Sequence, residues 1–191
     1  MNYLSHIVLA KSGKIQIGGF IADAVKGNDY KYFNKDIQKG ILQHRFIDSY
    51  IDNDKEVAKV TTLFRPKYGK YAGIVTDVIF DYFLLENWDK FQKVPLKLFV
   101  LKFFFNVIVN YRIFPTRMKR FVKVVVFNNL TAYYKSTNGV AKVLDLMSKY
   151  RGIPNESEFA ISVINENYEF INNIFIGFFE KVRREANSFL E

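Results

Sequence analysis

Gly40-Ile-Leu-Gln-His44-Arg45-Phe-Ile-Asp48-Ser-Tyr-Ile51 is the stretch on which the fold turns. Residues three and four apart share one face of a helix, so Ile37, Ile41, His44, Asp48 and Ile51 form a single stripe. The stripe that should face the core is therefore interrupted by an imidazole and a carboxylate, with Arg45 beside them. Burying such groups is costly unless something pairs with them. A metal ion, a substrate phosphate or an internal hydrogen bond could do so; a His–Asp pair that merely pins two helices is the plainer alternative.

Working outward, His6 lies among Leu4, Ile7, Val8 and Leu9, and Ser12-Gly13 reads as a turn. Ile17, Phe20, Ile21, Ala24 and Val25 predict a helix over 15–26, ended by Gly27-Asn28. It carries Asp23, and Gly18-Gly19 allows close backbone approach. After a tyrosine-rich loop, the central helix is predicted from Lys35 to Ile51, with Asp52-Asn53-Asp54 as turn and cap. A helix from Lys55 to Phe64 should end at Pro66. The segment Tyr71–Trp88 is the most apolar helix of the first half, yet Asp77 and Asp81 sit one turn apart on it. Like charges at that spacing repel, and a nearby cation would reverse the effect.

In the second half Pro95 opens a helix to about Tyr111. Its apolar run, Leu96–Val109, is broken by Lys97, Lys102 and Asn106 and is shorter than the roughly 20 residues of a membrane span. It reads as a buried helix. Pro115 opens another, basic at its start through Arg117, Lys119, Arg120 and Lys123, with Asn128-Asn129 as a kink or end. Ser136-Thr-Asn-Gly139 is a break; a helix over 140–149 and a final one from near Glu156 follow. Val124–Phe127 is the only β-like run, and no strand alternation stands out. The prediction is one all-α domain over 1–191, a helical bundle.

The chain has 191 residues, 20 Phe, 12 Tyr and no Cys, which removes disulfides, thiolate nucleophiles and sulfur-based zinc sites. The N-terminal stretch lacks the pattern of a secretory signal. A soluble, cytoplasmic protein is expected. Its net charge of +9 favours an acidic partner: nucleic acid, anionic membrane or an acidic protein. There are only two histidines, His6 and His44. With Asp23, Asp48, Asp77 and Asp81 they make a set of nitrogen and oxygen donors suited to Mn²⁺, Mg²⁺ or Fe²⁺, and less often Zn²⁺. No P-loop, dinucleotide fingerprint or nucleophile elbow is present.

Four blocks together resemble a known family: Met1-Asn-Tyr-Leu-Ser-His6, Gly19-Phe-Ile-Ala-Asp23-Ala-Val-Lys-Gly27, Gly40-Ile-Leu-Gln-His44-Arg45-Phe-Ile-Asp48 and Asp77-Val-Ile-Phe-Asp81-Tyr-Phe-Leu. In order and spacing they are similar to the acyl carrier protein phosphodiesterases, hydrolases that remove 4′-phosphopantetheine from holo-acyl carrier protein. In the second half the likeness is mainly one of helical pattern, with Met147 and Arg151 resembling a late Met–Arg element. The resemblance implies a fold like that of the HD-type metal phosphohydrolases and a divalent cation, Mn²⁺ or Mg²⁺. By it, His6, Asp23, His44, Asp48, Asp77 and Asp81 would surround the metal, and Arg45 would face the phosphate. Asp23, His44, Arg45 and Asp48 are then the catalytic candidates. One departure is that Asp81-Tyr82-Phe83 stands where the family usually has Asp-His-Phe. The basic cluster Arg117, Lys119, Arg120 and Lys123 would dock the acidic carrier protein, with no nucleic acid expected. An HD-like phosphohydrolase acting on a small phosphoester, or a non-enzymatic basic helical binding protein, are the alternatives.

Overall fold

In the computed structural model, residues 3–11, 13–127 and 133–191 are described, and among them there are helices and turns but no strand. The order is α1 (Tyr3–Leu9), α2 (Gly13–Ile21), α3 (Lys35–Asp52), α4 (Lys55–Tyr68), α5 (Ala72–Glu86), the short α6 (Trp88–Phe91), α7 (Leu96–Asn110) and α8 (Thr116–Phe127). After the break come α9 (Thr137–Arg151), α10 (Ser157–Glu166) and α11 (Tyr168–Leu190). The all-α fold class predicted from the sequence is observed.

The central helix α3 is the axis, and its ends are set by side chains. The Asn34 carboxamide oxygen accepts from Ile37 N at its start. Asp54 accepts from the amides of Glu56 and Val57 to begin α4. On α3, Ile37, Ile41, Ile47 and Ile51 are buried, as is His44. α2 crosses α3 in backbone contact at Gly18 and Gly40. A Cβ on Gly40 would lie 2.1 Å from the Ile15 carbonyl oxygen, and one on Gly18 2.3 Å from that of Ile37. On the opposite side α11 packs along α3 through the ring pairs Phe46–Phe189 and Tyr50–Phe178. Buried Gln43 of α3 ties α1 to α11, donating to the carbonyls of Leu9 and Ala186. Phe80, Phe83, Phe91, Phe175 and Phe179 fill the core between α5, α6 and α11 with edge and tilted contacts.

Several expectations are corrected. The α4 helix does not stop before Pro66 but continues to Tyr68. Continuing it buries Tyr68, and the helix then ends at Gly69, whose φ of 52° lies in the region glycine tolerates. The predicted helix over 15–26 is shorter: α2 ends at Ile21 and a single 3₁₀ turn, Ala22–Ala24, carries Asp23. Asn167 divides the last helix into α10 and α11, and Val124–Phe127 is the helical end of α8. The expected break at Asn128-Asn129 and the Ser12 half of the first turn lie outside the described residues.

The largest difference is α7, which is not a buried helix. Phe103 and Val107 are buried, with Phe103 against Phe20 of α2. Yet Leu101, Phe105, Ile108 and Val109 face outward, Phe105 and Ile108 at 67% and 73% exposure. Among the described residues, only one side of this mostly apolar helix has a neighbour. No described helix is long and apolar enough to cross a membrane.

Candidate active site

Two imidazoles form the floor of the site. His6 comes from α1 and His44 from α3, and their rings stack at 3.7 Å between centroids, 18° from parallel. Both aim Nε2 at the same carboxylate, Asp48, one turn after His44. His6 Nε2 lies 3.1 Å from Asp48 Oδ1, and His44 Nε2 lies 3.1 Å from Asp48 Oδ2. Asp23, on the 3₁₀ turn after α2, brings Oδ1 to 3.3 Å from His44 Nε2. The Gly18–Gly40 crossing makes this possible, because it lets α2 deliver Asp23 beside α3 at backbone distance.

The charges follow from this geometry. Burial would lower the pKa of His44, but hydrogen bonds to Asp23 and Asp48 outweigh it and hold the imidazole at about 9. His6, buried and stacked against His44, is pushed down to about 3. The pair thus carries one positive charge, on His44, while His6 is a neutral imidazole. Burial alone would raise Asp48, but the two imidazoles hold it well below the usual carboxylate range. Hydrogen bonding to His44 likewise lowers Asp23.

Asp23, His44 and Asp48 open into a pocket of about 280 Å³, bounded further by Asp52 and Asp77, with Met147 and Arg151 from the end of α9. Burial raises the Asp77 pKa. The structure thus brings His6, Asp23, His44, Asp48 and Asp77 to one place.

Two predicted site residues are elsewhere. Asp81 is fully buried and accepts from Leu4 N at 3.1 Å, from Ser5 N at 3.0 Å and from the Ser5 hydroxyl. It satisfies amides at the start of α1, the helix that presents His6, and burial raises its pKa to about 7. Arg45 turns away from the pocket. Its guanidinium donates to the carbonyls of Gly27 and Val25 at 2.8 Å each and lies over the Tyr30 ring. It fastens the segment that follows Asp23. Tyr82 does not line the pocket: its hydroxyl pairs with that of Tyr168, which donates to Glu86. Asp52 is a pocket residue that helical spacing had assigned only to a turn.

The donor set is one that holds cations. Ligand atoms of His6, His44 and Asp48 lie within 4.8 Å of one another, close to the span across a metal with bonds of about 2.1–2.2 Å. Two nitrogens and several carboxylate oxygens, without sulfur, match a borderline-hard divalent ion. This cluster can hold a metal ion.

With the geometry in hand, comparison with known proteins is decisive. Residues 1–182 match the family model described as acyl carrier protein phosphodiesterase. The chain belongs to the acyl carrier protein phosphodiesterase family. It is 28% identical to the acyl carrier protein phosphodiesterase of Enterobacter sp. (strain 638), over an alignment covering 98% of each chain. It is 36% identical over 102 residues to that of Salmonella agona (strain SL483), covering 52% of this chain and 53% of the relative. No solved structure matches the chain. As a member of the acyl carrier protein phosphodiesterase family it is a hydrolase.

Proposed function

We propose that this protein removes 4′-phosphopantetheine from holo-acyl carrier protein by divalent-metal-dependent phosphodiester hydrolysis, giving the apo form. One observation carries the reading: His6, Asp23, His44, Asp48 and Asp77, drawn from four segments, meet at one pocket in a chain that matches the family over residues 1–182. His6, His44 and Asp48 would hold the cation, with Asp23 as a further carboxylate donor. The soft-donor-free set favours Mn²⁺ or Mg²⁺, with Fe²⁺ next. Bound there, the ion supplies a water acidic enough to be deprotonated near neutral pH and offsets charge on the phosphoryl oxygens.

The chain's own groups do the rest. Before an ion binds, Asp48 holds both Nε2 atoms in place through its two oxygens. Asp77, whose proton affinity burial raises, is suited to accept a proton from the attacking water and return it to the leaving serine oxygen. The water oxygen bonds to phosphorus, the bond from phosphorus to the serine Oγ breaks, and 4′-phosphopantetheine departs with the protein hydroxyl restored. Arg151, exposed at the pocket rim, presents a planar guanidinium that can take two phosphate oxygens at once. It replaces Arg45 in that role, and Arg45 becomes a positioning residue for Asp23.

Charge supports a strongly acidic protein substrate. Between Asp89 and Asp145 there is no Asp or Glu, while Lys and Arg recur. Arg117, Arg120 and Lys123 are exposed on α8, whereas Lys119 is half-buried, near the Arg112 carbonyl and the Tyr111 ring. α8 packs on the α1 helix of His6 through Phe121 and Tyr3. Mass spectrometry of holo-acyl carrier protein incubated with the protein, with and without Mn²⁺, tests the reading. Loss of the prosthetic group only with metal is expected; retention under both conditions would overturn it.

A further inference from the structure

Beyond the metal pocket lies a second hollow of about 170 Å³ between α4 and α5, lined by Val57, Ala58, Thr61, Arg65, Gly73 and Thr76. It shares Ile51, Asp52 and Asp77 with the first, so the two adjoin. We propose that this groove binds the pantetheine arm, with its phosphate end in the metal pocket and its thiol end towards Arg65. The inference rests on the phosphodiesterase reading above and adds to it the place where the arm lies.

Three observations support it. The first is length. Asp54, Val57, Ala58, Thr61 and Arg65 fall on one face of α4, and a helix rising 1.5 Å per residue carries that face about 16 Å. Phosphopantetheine has about thirteen bonds from phosphorus to sulfur, which extended is also roughly 16 Å. The second is chemistry. The arm is a chain of methylenes, a geminal dimethyl group, a hydroxyl and two amides. Val57 and Ile51 offer an apolar floor, and the Thr61 and Thr76 hydroxyls, 3.1 Å apart, offer a polar point midway. Thr76 already donates to the Ala72 carbonyl, so Thr61 can give its proton to Thr76 and keep lone pairs for an amide N–H. Arg65 is exposed and can donate to an amide carbonyl further along.

The third is space. Gly73 lies on the second residue of α5, and a Cβ added there meets nothing within 4 Å. A larger side chain at Gly73 therefore projects into the groove without disturbing the fold. Its helical backbone needs no glycine, since its φ is not positive. Ala58, exposed on α4, offers the same opportunity from the facing wall.

The test uses Gly73→Leu and, as an independent block, Ala58→Leu, each compared with the parent protein. Calorimetry measures binding of 4′-phosphopantetheine and of inorganic phosphate in the presence of Mn²⁺, and kinetics measure holo-acyl carrier protein and bis(4-nitrophenyl) phosphate. The parent should bind phosphopantetheine at least tenfold more tightly than phosphate. Both variants should lose that preference and at least tenfold in kcat/KM for the carrier protein, with bis(4-nitrophenyl) phosphate hydrolysis and phosphate binding unchanged within twofold. If folded variants of both kinds keep the preference and the carrier-protein rate, the groove assignment is overturned while the phosphodiesterase reading stands. If the parent itself leaves holo-acyl carrier protein intact, the reading fails and takes this assignment with it.

Discussion

At the residue scale, the stacked imidazoles fix a pH signature for the metal-free protein. His44, held at about 9 in the fold against 6.5 unfolded, adds stability that is complete below pH 6.5 and is lost as pH rises through 9. His6, at about 3, works oppositely: the unfolded chain gains its proton below pH 6.5, so stability falls towards acid. On the acid side the buried Asp81, raised to about 7, offsets His6, so the resolved feature is an alkaline flank: the melting temperature of the metal-free protein should fall between about pH 6.5 and 9, sloping at most about 1.4 kcal/mol per pH unit. Scanning calorimetry from pH 5 to 9 checks this, and His44→Gln should abolish the alkaline flank alone. Under the metal proposal, Mn²⁺ must displace the His44 proton, so binding at pH 7.5 should release about one proton. Titration calorimetry in buffers of different ionisation enthalpy reads that number; zero would speak against His44 as a ligand. Arg45 gives a separate prediction. Arg45→Lys cannot fork to both the Val25 and Gly27 carbonyls. It should weaken Mn²⁺ by about tenfold through Asp23, as for other groups that orient ligands. A phosphate-binding Arg45 would instead raise KM and leave metal affinity untouched.

At the scale of elements, the site depends on two devices that place short helices. One is the Gly18–Gly40 crossing. Gly40→Ala pushes a methyl into the Ile15 carbonyl, and overpacking of this kind costs about 1–3 kcal/mol or more. Chemical denaturation should show that loss, with Mn²⁺ affinity falling because Asp23 and His44 separate. The other is Asp81 beneath α1. Asp81→Ala leaves the Leu4 and Ser5 amides buried without their acceptor, at about 1–3 kcal/mol. These cases show what the sequence revealed. Helical spacing located His44 and Asp48 on one face, and the short blocks pointed to His6, Asp23 and Asp77. It could not show that Asp81 and Arg45 answer to backbone groups, because amides and carbonyls carry no residue identity. Spacing also places Asp77 and Asp81 on one side of α5 without saying that one turn separates pocket from core. α7 differs from its expectation for a related reason: a long, mostly apolar run signals burial, but not on how many sides.

Across the whole molecule the charge is lopsided: the acid-free segment from Lys90 to Leu144 holds a positive excess greater than the net +9. The remainder, which carries the His6–His44–Asp48 cluster, is slightly acidic. Under the docking proposal an acidic substrate would be met by one region and processed by another, an arrangement that raises encounter rate more than chemical rate. Reversing Arg117, Arg120 and Lys123 to Glu tests the division of labour. All three are exposed and distant in sequence from the ligands, so stability should change little. KM for holo-acyl carrier protein should rise at least tenfold at low salt, and the parent's decline in kcat/KM with ionic strength should flatten or reverse. Hydrolysis of bis(4-nitrophenyl) phosphate should not respond, because a small diester does not touch α8. Unchanged salt dependence with the carrier protein would place its docking elsewhere, and the exposed apolar side of α7 next to α8 would be the surface to alter next.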